Sequence, residues 1–417
     1  MNVDDMINAG VCKAADIPRR DSQYLEGEFQ GLSIHSAYQP IYSFAHQLPV
    51  GYEALMRATD RDGSSISPLE IFSNIKEQEA LMHLEELTRT LHAINYFRND
   101  TTGAWLFLNV NPAMVNNCGD CMYNFFSTLD ENGIPPSRIV IEFVEASVKE
   151  FGNLVKVTRK LKQNGCRVAI DDFGAGFSNF NRIWDLEPDI VKLDKSMLDR
   201  LRTDPGKFRP FISLVELLHE SGSLVVMEGI ESEADAGFAH DLDIDLHQGY
   251  YFGRPERELQ AVWSRLNPYL QIKHGAHDDK STLLITEDLP SGVEMLFRES
   301  TSGAHPDMQI ERTCEPLLNH PRVMSCYLLD NDGYQLGSNI YGEHAKRNVS
   351  TPFEQLGDDE AANWGRRKYF RRAMENPREM QITKPYRSLT GLGMCKTISV
   401  ALNDGEKSFV LCCDIGI

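Results

Sequence analysis

A (β/α)8 barrel of the TIM type followed by a smaller α+β domain is the fold class this sequence predicts, on three observations. Between about residues 35 and 255 one pattern repeats: a short apolar run, a polar or charged residue at its end, then an amphipathic helical stretch. The polar residues fall at the same place in each run, its C-terminal end. Beyond about residue 305 the pattern changes to pairs of strand-like runs around hairpin signals.

The runs are VGYEALMR (50–57), WLFLNVNP (105–112), RIVIEFVE (138–145), CRVAIDDFG (166–174), DIVKLD (189–194), SLVVMEGIE (223–231) and DLHQGYYFGRP (245–255). Between them lie helical segments. The first, SPLEIFSNIKEQEALMHLEELTRTL, opens with Ser67 as N-cap, Pro68 at the first helical position and Glu70 as its partner. SVKEFGNLVKVTRKLKQNG and KFRPFISLVELLHESG end on Gly165 and Gly222, the expected stop after a helix. Strands alternating with helices imply a parallel sheet, open or closed. Periodicity does not separate the two. A polar residue from every successive strand favours the barrel, because there all the strand ends meet on one face.

An N-terminal lead-in spans 1–30, the barrel 31–260, a helical linker 261–304 and the small domain 305–417. The linker begins with the helical ERELQAVWSRLNPYLQI and the polar HGAHDDKST. In the small domain, SCYLLDNDGYQLGSN surrounds Asp330-Asn331-Asp332-Gly333, and KTISVALNDGEKSFVLCCDIGI surrounds Asn403-Asp404-Gly405. NWGRRKYFRRAMENP lies between these hairpins, so an antiparallel sheet with flanking helices is expected.

Composition removes several function classes. A chain of 417 residues with 41% hydrophobic and 9% aromatic residues is a globular protein of more than one domain. No run of about 18 apolar residues marks a membrane span. The N-terminus carries acids early and lacks an apolar core, so no secretory signal is expected. A net charge of −19 excludes broad binding to nucleic acid polymers or anionic lipid, while a small anion remains accessible to metals or local arginines. Nine scattered cysteines fit a reducing, cytoplasmic setting. Cys118 and Cys121 form a CxxC that is either a redox or half-zinc motif or two ordinary thiols; no second CxxC completes it.

The polar ring consists of Glu53, Asn109, Glu142, Asp171 with Asp172, Lys192, Glu228 and Gln248. Five carboxylates in one cleft repel one another unless cations bind between them. All-oxygen ligands suit Mg²⁺ or Mn²⁺ better than zinc, and the density of carboxylates is enough for two ions. Two-metal sites serve in-line displacement at phosphorus. The competing explanation is that a strand-end acid caps the following helix. It covers the Asp171–Asp172 pair as well as a metal does, but gives no reason for every strand to present a polar group on one face.

The ordered set QPI (39–41), EALMR, FLNVNP, IEFVE, DDFGAGFSN, VKLD, MEGIE and QGYYFGRP resembles the EAL domains, bacterial phosphodiesterases specific for cyclic di-GMP, over residues 33–260. The resemblance implies a (β/α)8 barrel, two Mg²⁺ or Mn²⁺ ions, hydrolysis to linear pGpG, and a homodimer. It implies Glu53, Asn109, Glu142, Asp171, Asp172 and Glu228 as metal ligands, with Lys192, Glu228 and Glu53 in catalysis. Gln39, Arg57, Asp194 and Gln248 are implied on the substrate side, Glu145 as anchor of the loop after Asp172, and Glu231 as structural. Two departures stand out: Val144 replaces the usual threonine, and Phe177 the usual loop tyrosine. Neither removes a ligand; both touch the loop that orders the second metal. A non-catalytic receptor for cyclic di-GMP is the alternative.

Residues 305–417 resemble the PAS/Cache-like sensor domains. Trp364, Arg367 and Tyr369, with Tyr386 and Asp414, are implied as contacts for a small-molecule ligand. Packing of a dimerisation core explains the same aromatic residues.

Overall fold

The computed structural model describes residues 23–100, 102–111, 119–144, 151–176, 180–259, 289–302, 309–347, 362–389, 393–403 and 408–417. The lead-in to residue 22, the segment 260–288, the hairpin tip Asp404–Gly405, Cys118, Glu145 and Phe177 lie outside them. Among the described residues no helix is long and apolar enough to cross a membrane.

The first sheet contains β1 (Gly27–Phe29), β2 (Leu32–Ser43), β3 (Leu48–Thr59), β4 (Ser65–Ile66), β5 (Trp105–Val110), β6 (Ile139–Val144), β7 (Arg167–Phe173), β8 (Ile190–Leu193), β9 (Leu224–Met227) and β10 (Leu246–Gln248). Strands β3 and β5–β10 pair in parallel, and β2 closes them into an eight-stranded barrel between β10 and β3. β2 runs antiparallel to both neighbours, which corrects the expectation of an all-parallel barrel. The cause is local. Only residues 44–47 separate β2 from β3, and a parallel return needs a crossover of a dozen residues or more.

Alternation along each strand sends one set of side chains to the barrel axis and the other to the outer helices. Val140, Ala169, Ile190, Val226 and Leu246 fill the axis. Leu106, Ile141, Val168, Val191, Val225 and Met227 pack outward. Crowding on the axis explains a glycine: a Cβ at Gly51 would lie 2.5 Å from the Phe107 ring.

Helix signals are borne out where they are strong. Ser67 Oγ accepts from the Glu70 N–H at 3.1 Å at the start of the helix Pro68–Asn74. The expected single helix is in fact two, because Ile75 turns extended before the helix Gln78–Asn99 begins. Gly165 and Gly222 both sit at φ 89°, just past the helices Phe151–Gln163 and Phe208–Glu220.

The second sheet has six antiparallel strands: β11 (Val323–Leu329), β12 (Gln335–Tyr341), β13 (Gln381–Ile382), β14 (Tyr386–Arg387), β15 (Met394–Asn403) and β16 (Ser408–Gly416). Both expected hairpin pairs form, β11 with β12 and β15 with β16. One face of the sheet, with Cys326, Leu328, Leu411 and Cys413, packs on the helices Val293–Ser302, Ile310–Thr313 and Glu315–Leu318. The other face, with Tyr327, Leu329, Val410 and Cys412, packs with the helix Lys368–Glu375. That apolar cluster is continuous with the lower barrel axis through Trp105, Phe107, Ile190 and Leu224. The small domain therefore closes the N-terminal end of the barrel, leaving the opposite end open.

Candidate active site

The polar ring sits on the axis face of its strands, one step above the aliphatic layer. Lys192 on β8 is completely buried and is held by four carboxylates, three on strands and Glu228 just after β9. Its Nζ lies 2.8 Å from Glu228 Oε1, 3.0 Å from Glu142 Oε1, 3.2 Å from Asp171 Oδ1 and 3.3 Å from Glu53 Oε2. Burying an ammonium costs several kcal/mol. Here the four acids more than offset that cost and hold its pKa well above the ordinary lysine value.

The acids are not matched to one lysine. Burial pushes Glu142, Asp171 and Glu228 above the usual carboxylate range, with Lys192 opposing and the other acids adding. Asp172 is raised as well, by burial and then by Asp171. Glu53 alone goes down. Burial opposes this, but Lys192 and hydrogen bonds from Gln248 and Asn109 outweigh it. Gln248 Nε2 donates to Glu53 Oε2 at 2.6 Å, and Asn109 Nδ2 donates to Oε1 at 2.7 Å.

The donor set fits divalent cations. Both Glu142 oxygens and Asp171 Oδ1 are buried without a hydrogen-bond partner, although Lys192 lies within ion-pair distance. Oxygens of Asp171, Asp172 and Glu228 lie within 4.8 Å of one another. Five carboxylates against one ammonium leave four negative charges, which two divalent cations neutralise.

The remaining expected residues divide. Gln39 on β2 faces Glu53 in register, accepts from Gln248 Nε2 at 3.3 Å and donates to Gly253 O at 3.2 Å. Arg57, two residues beyond Leu55 on the same face as Glu53, bonds the Met56 carbonyl at 2.9 Å and lies half-buried at the mouth. Asp194 does not point its hydrogen bonds at the ring. It caps the helix Lys195–Thr203, accepting from Ser196 N–H at 3.0 Å. Glu231 pairs with Lys195 at 3.5 Å at the surface.

One feature of the mouth escaped the sequence reading. Tyr250 is half exposed beside Gln248, and the Arg254 guanidinium lies 4.1 Å from its ring centre. The segment QGYYFGRP contains both residues, but neither follows a strand or helix period, so no pattern marks them.

In the small domain, Trp364, Arg367, Tyr369, Tyr386 and Asp414 do converge, around a cavity of about 10 Å³. That is room for about one water. These groups are hydrogen-bonded to neighbouring side chains. Tyr327 OH donates to Tyr369 OH at 3.1 Å, Thr397 Oγ1 donates to Asp414 Oδ1 at 2.7 Å, and Trp364 Nε1 donates to Gln335 Oε1 at 2.9 Å.

Comparison with known proteins fits this geometry. The sequence model of the EAL domain matches residues 23–255. The chain is 32% identical over 158 residues to a protein of Pseudomonas aeruginosa named cyclic di-GMP phosphodiesterase RocR, spanning 39% of it. It is 25% identical over 221 residues to the signaling protein YkoW of Bacillus subtilis, spanning 28% of that protein. A third relative, the uncharacterized EAL-domain protein YkuI of B. subtilis, is 24% identical over 388 residues, which cover 89% of this chain and 92% of YkuI. The crystal structure of YkuI, solved with substrate c-di-GMP and calcium, shares the fold over 92% of this chain and 96% of that one, with 21% identity and a TM-score of 0.51. The match takes in every strand of the barrel and all of the carboxylates around Lys192, over more than half of the chain, which belongs to the EAL domain family.

Proposed function

We propose that the chain is a metal-dependent phosphodiesterase that hydrolyses cyclic di-GMP to linear pGpG. The observation that carries this reading is the lysine clasped by four carboxylates, three on β3, β6 and β7 and one just past the end of β9, at the open end of the barrel. Burial raises three of the four acids, so ionising them together calls for further positive charge beside them. Glu53, Asn109, Glu142, Asp171, Asp172 and Glu228 would hold two Mg²⁺ or Mn²⁺ ions. When bound, such ions supply the positive charge that stabilises phosphate oxygens and makes water a better nucleophile at neutral pH.

The chain's own residues supply the rest. Lys192 orients a water or a phosphate oxygen, and Glu228, bonded to Lys192, accepts the proton of the attacking water. The water oxygen bonds to phosphorus, the bridging 3′ oxygen leaves with a proton, and the linear product carries a 5′ phosphate. Arg57 at the mouth has the planar fork that suits a second phosphate. Gln39 and Gln248, hydrogen-bonded to one another beside Glu53, align the substrate.

Chromatography of cyclic di-GMP incubated with the protein in Mg²⁺, Mn²⁺ or EDTA tests the reading, with Glu53→Ala and Asp171→Ala alongside. Metal-dependent pGpG that both substitutions abolish is expected. Turnover retained in folded Asp171→Ala would overturn the mechanism. Tight binding without turnover in either metal would make the chain a receptor instead.

A further inference from the structure

The small domain does not grip the barrel evenly. Asn363 N–H donates to Ala45 O at 2.8 Å in the β2–β3 connection, where His46 meets the Trp364 ring edge-on. Arg366 and Arg367, both almost fully buried, grip the start of β10. Each donates to Asp243 Oδ1 at 3.2 Å, Arg366 also binds Ile244 O, and Arg367 Nη2 donates to Asp245 Oδ1 at 2.7 Å. The other Asp245 oxygen accepts from the Val225 N–H at 2.9 Å and faces His219 Nε2 at 2.8 Å. These grips fall on the seam where β2 closes the barrel between β10 and β3.

At the upper end of the same three strands stand Gln39, Glu53 and Gln248, joined by the hydrogen bonds from Gln248 Nε2. β10 is three residues long and has two registered pairs on each side, so its own ladder holds it weakly. From Asp245 to Gln248 is about 10 Å of extended chain. Glu53 depends on the upper end of that strand, since Gln248 makes its shortest hydrogen bond.

We propose that Arg366 and Arg367 are positioning residues for the active site, fixing β10 so that Gln248 holds the Glu53 carboxylate. The inference rests on the phosphodiesterase reading for its functional consequence. The small domain thereby completes the site from below, and any change in its hold on Asp243 and Asp245 reaches the metal-binding carboxylates through three residues. Arg387 offers a built-in control. It reaches the same end of the barrel but binds Gly222 O and lies 3.8 Å from Asp189, at the starts of β9 and β8.

The test compares Arg367→Met, Arg367→Lys and Arg387→Met in the full chain. Three readouts serve: amide hydrogen exchange at residues 246–248, Mn²⁺ binding by calorimetry without substrate, and kcat and KM separately. Arg367→Met should speed exchange at 246–248 and weaken Mn²⁺ binding about tenfold, as loss of supporting contacts does. Arg367→Lys should restore most of both. Arg387→Met should lower thermal stability comparably and leave Mn²⁺ affinity within about twofold of the parent, well short of that supporting-contact loss. Indistinguishable methionine variants, or faster exchange with unchanged Mn²⁺ affinity, would overturn the proposal. If Arg367→Met does not fold, Asp243→Asn keeps the side-chain shape and carries the same comparison. Failure of the parent protein to bind Mn²⁺ would sink the phosphodiesterase reading, and exchange at 246–248 would then decide the positioning role by itself.

Discussion

Asp171 and Asp172 are neighbours on one strand, yet an oxygen of each lies within 4.8 Å of the other's and of one on Glu228. Consecutive residues of a regular strand point to opposite faces. Here Asp172 adopts φ 56°, in the left-handed region, and the pairing of β7 with β8 slips between Ile170 and Phe173. A bulge of this kind re-aims one side chain and is common beside active sites. The strand end thus delivers two carboxylates to the axis where a regular strand delivers one.

That relationship separates backbone from charge experimentally. Asn tolerates the left-handed region better than most residues, so Asp172→Asn keeps the bulge and removes the charge. Gly keeps the bulge and removes the side chain. Both variants should melt within about 2 °C of the parent, since neither costs much stability, and bind Mn²⁺ at least about tenfold more weakly. Asp172→Val should lower the melting temperature as well, because a β-branched residue resists positive φ. Calorimetry of metal binding beside thermal melts checks both parts, and unchanged affinity in Asp172→Asn would remove that residue from the ligand set.

Lys192 is the sole ammonium within reach of the Glu53, Glu142, Asp171 and Glu228 carboxylates among the described residues. Lys192→Met keeps much of its volume and leaves four buried acids without a cation. Removing one partner of a buried pair costs roughly 3–5 kcal/mol. Urea unfolding without metal should show a loss of that order. Saturating Mg²⁺ should stabilise the variant more than the parent, because ions take over the missing charge. Equal stabilisation of both proteins would mean that the cluster is balanced without metal.

How far the site could be read in advance depended on period. Glu53, Asn109, Glu142, Asp171, Lys192, Glu228 and Gln248 all end apolar runs, and a period of two fixes their face once the strand is recognised. Gln39 had no such run to end. It lies inside β2, antiparallel and tied to β3 by a short link, and its place emerged only from the resemblance. Nothing local announces the bulge at Asp172. Arg367 is implied only as a ligand contact of the small domain and Arg366 by nothing in the pattern; docking against the barrel, on Asp243 and Asp245, is what buries both. Asp194, expected at the substrate, caps the helix Lys195–Thr203 through one carboxylate oxygen.

Gly51 tests the packing beneath the ring. Its missing side chain makes room for Phe107, whose Cε2 would lie 2.5 Å from an added Cβ. Overpacking of this kind costs about 1–3 kcal/mol. Gly51→Ala should unfold at lower urea and lose metal affinity too, because Gly51 is two residues below Glu53 on the same face of β3. A second substitution, Phe107→Leu, should recover stability in the double variant if the clash is the cause.

The seam between the domains should be acid-sensitive. Burial opposes ionisation of Asp243 and Asp245, but for Asp243 the guanidinium groups of Arg367 and Arg366 outweigh it, and for Asp245 the His219 and Arg367 charges do. Both carboxyls are therefore held below their ordinary value of 3.8. A depressed acid contributes stability that is complete above the unfolded value and is lost as pH falls through the folded one. The contribution is then constant at neutral pH and is lost progressively below about pH 4, where the unfolded aspartate begins to take up its proton. Asp243→Asn removes one of the two titrations. It should start less stable at pH 7, because Arg366 and Arg367 lose a buried partner, and its stability should fall less steeply than the parent's on the acid side. Urea midpoints measured from pH 7 down to pH 3 give the comparison. Parallel curves for the two proteins would show that Asp243 keeps an ordinary pKa and that the arginine pair grips the barrel by shape rather than by charge.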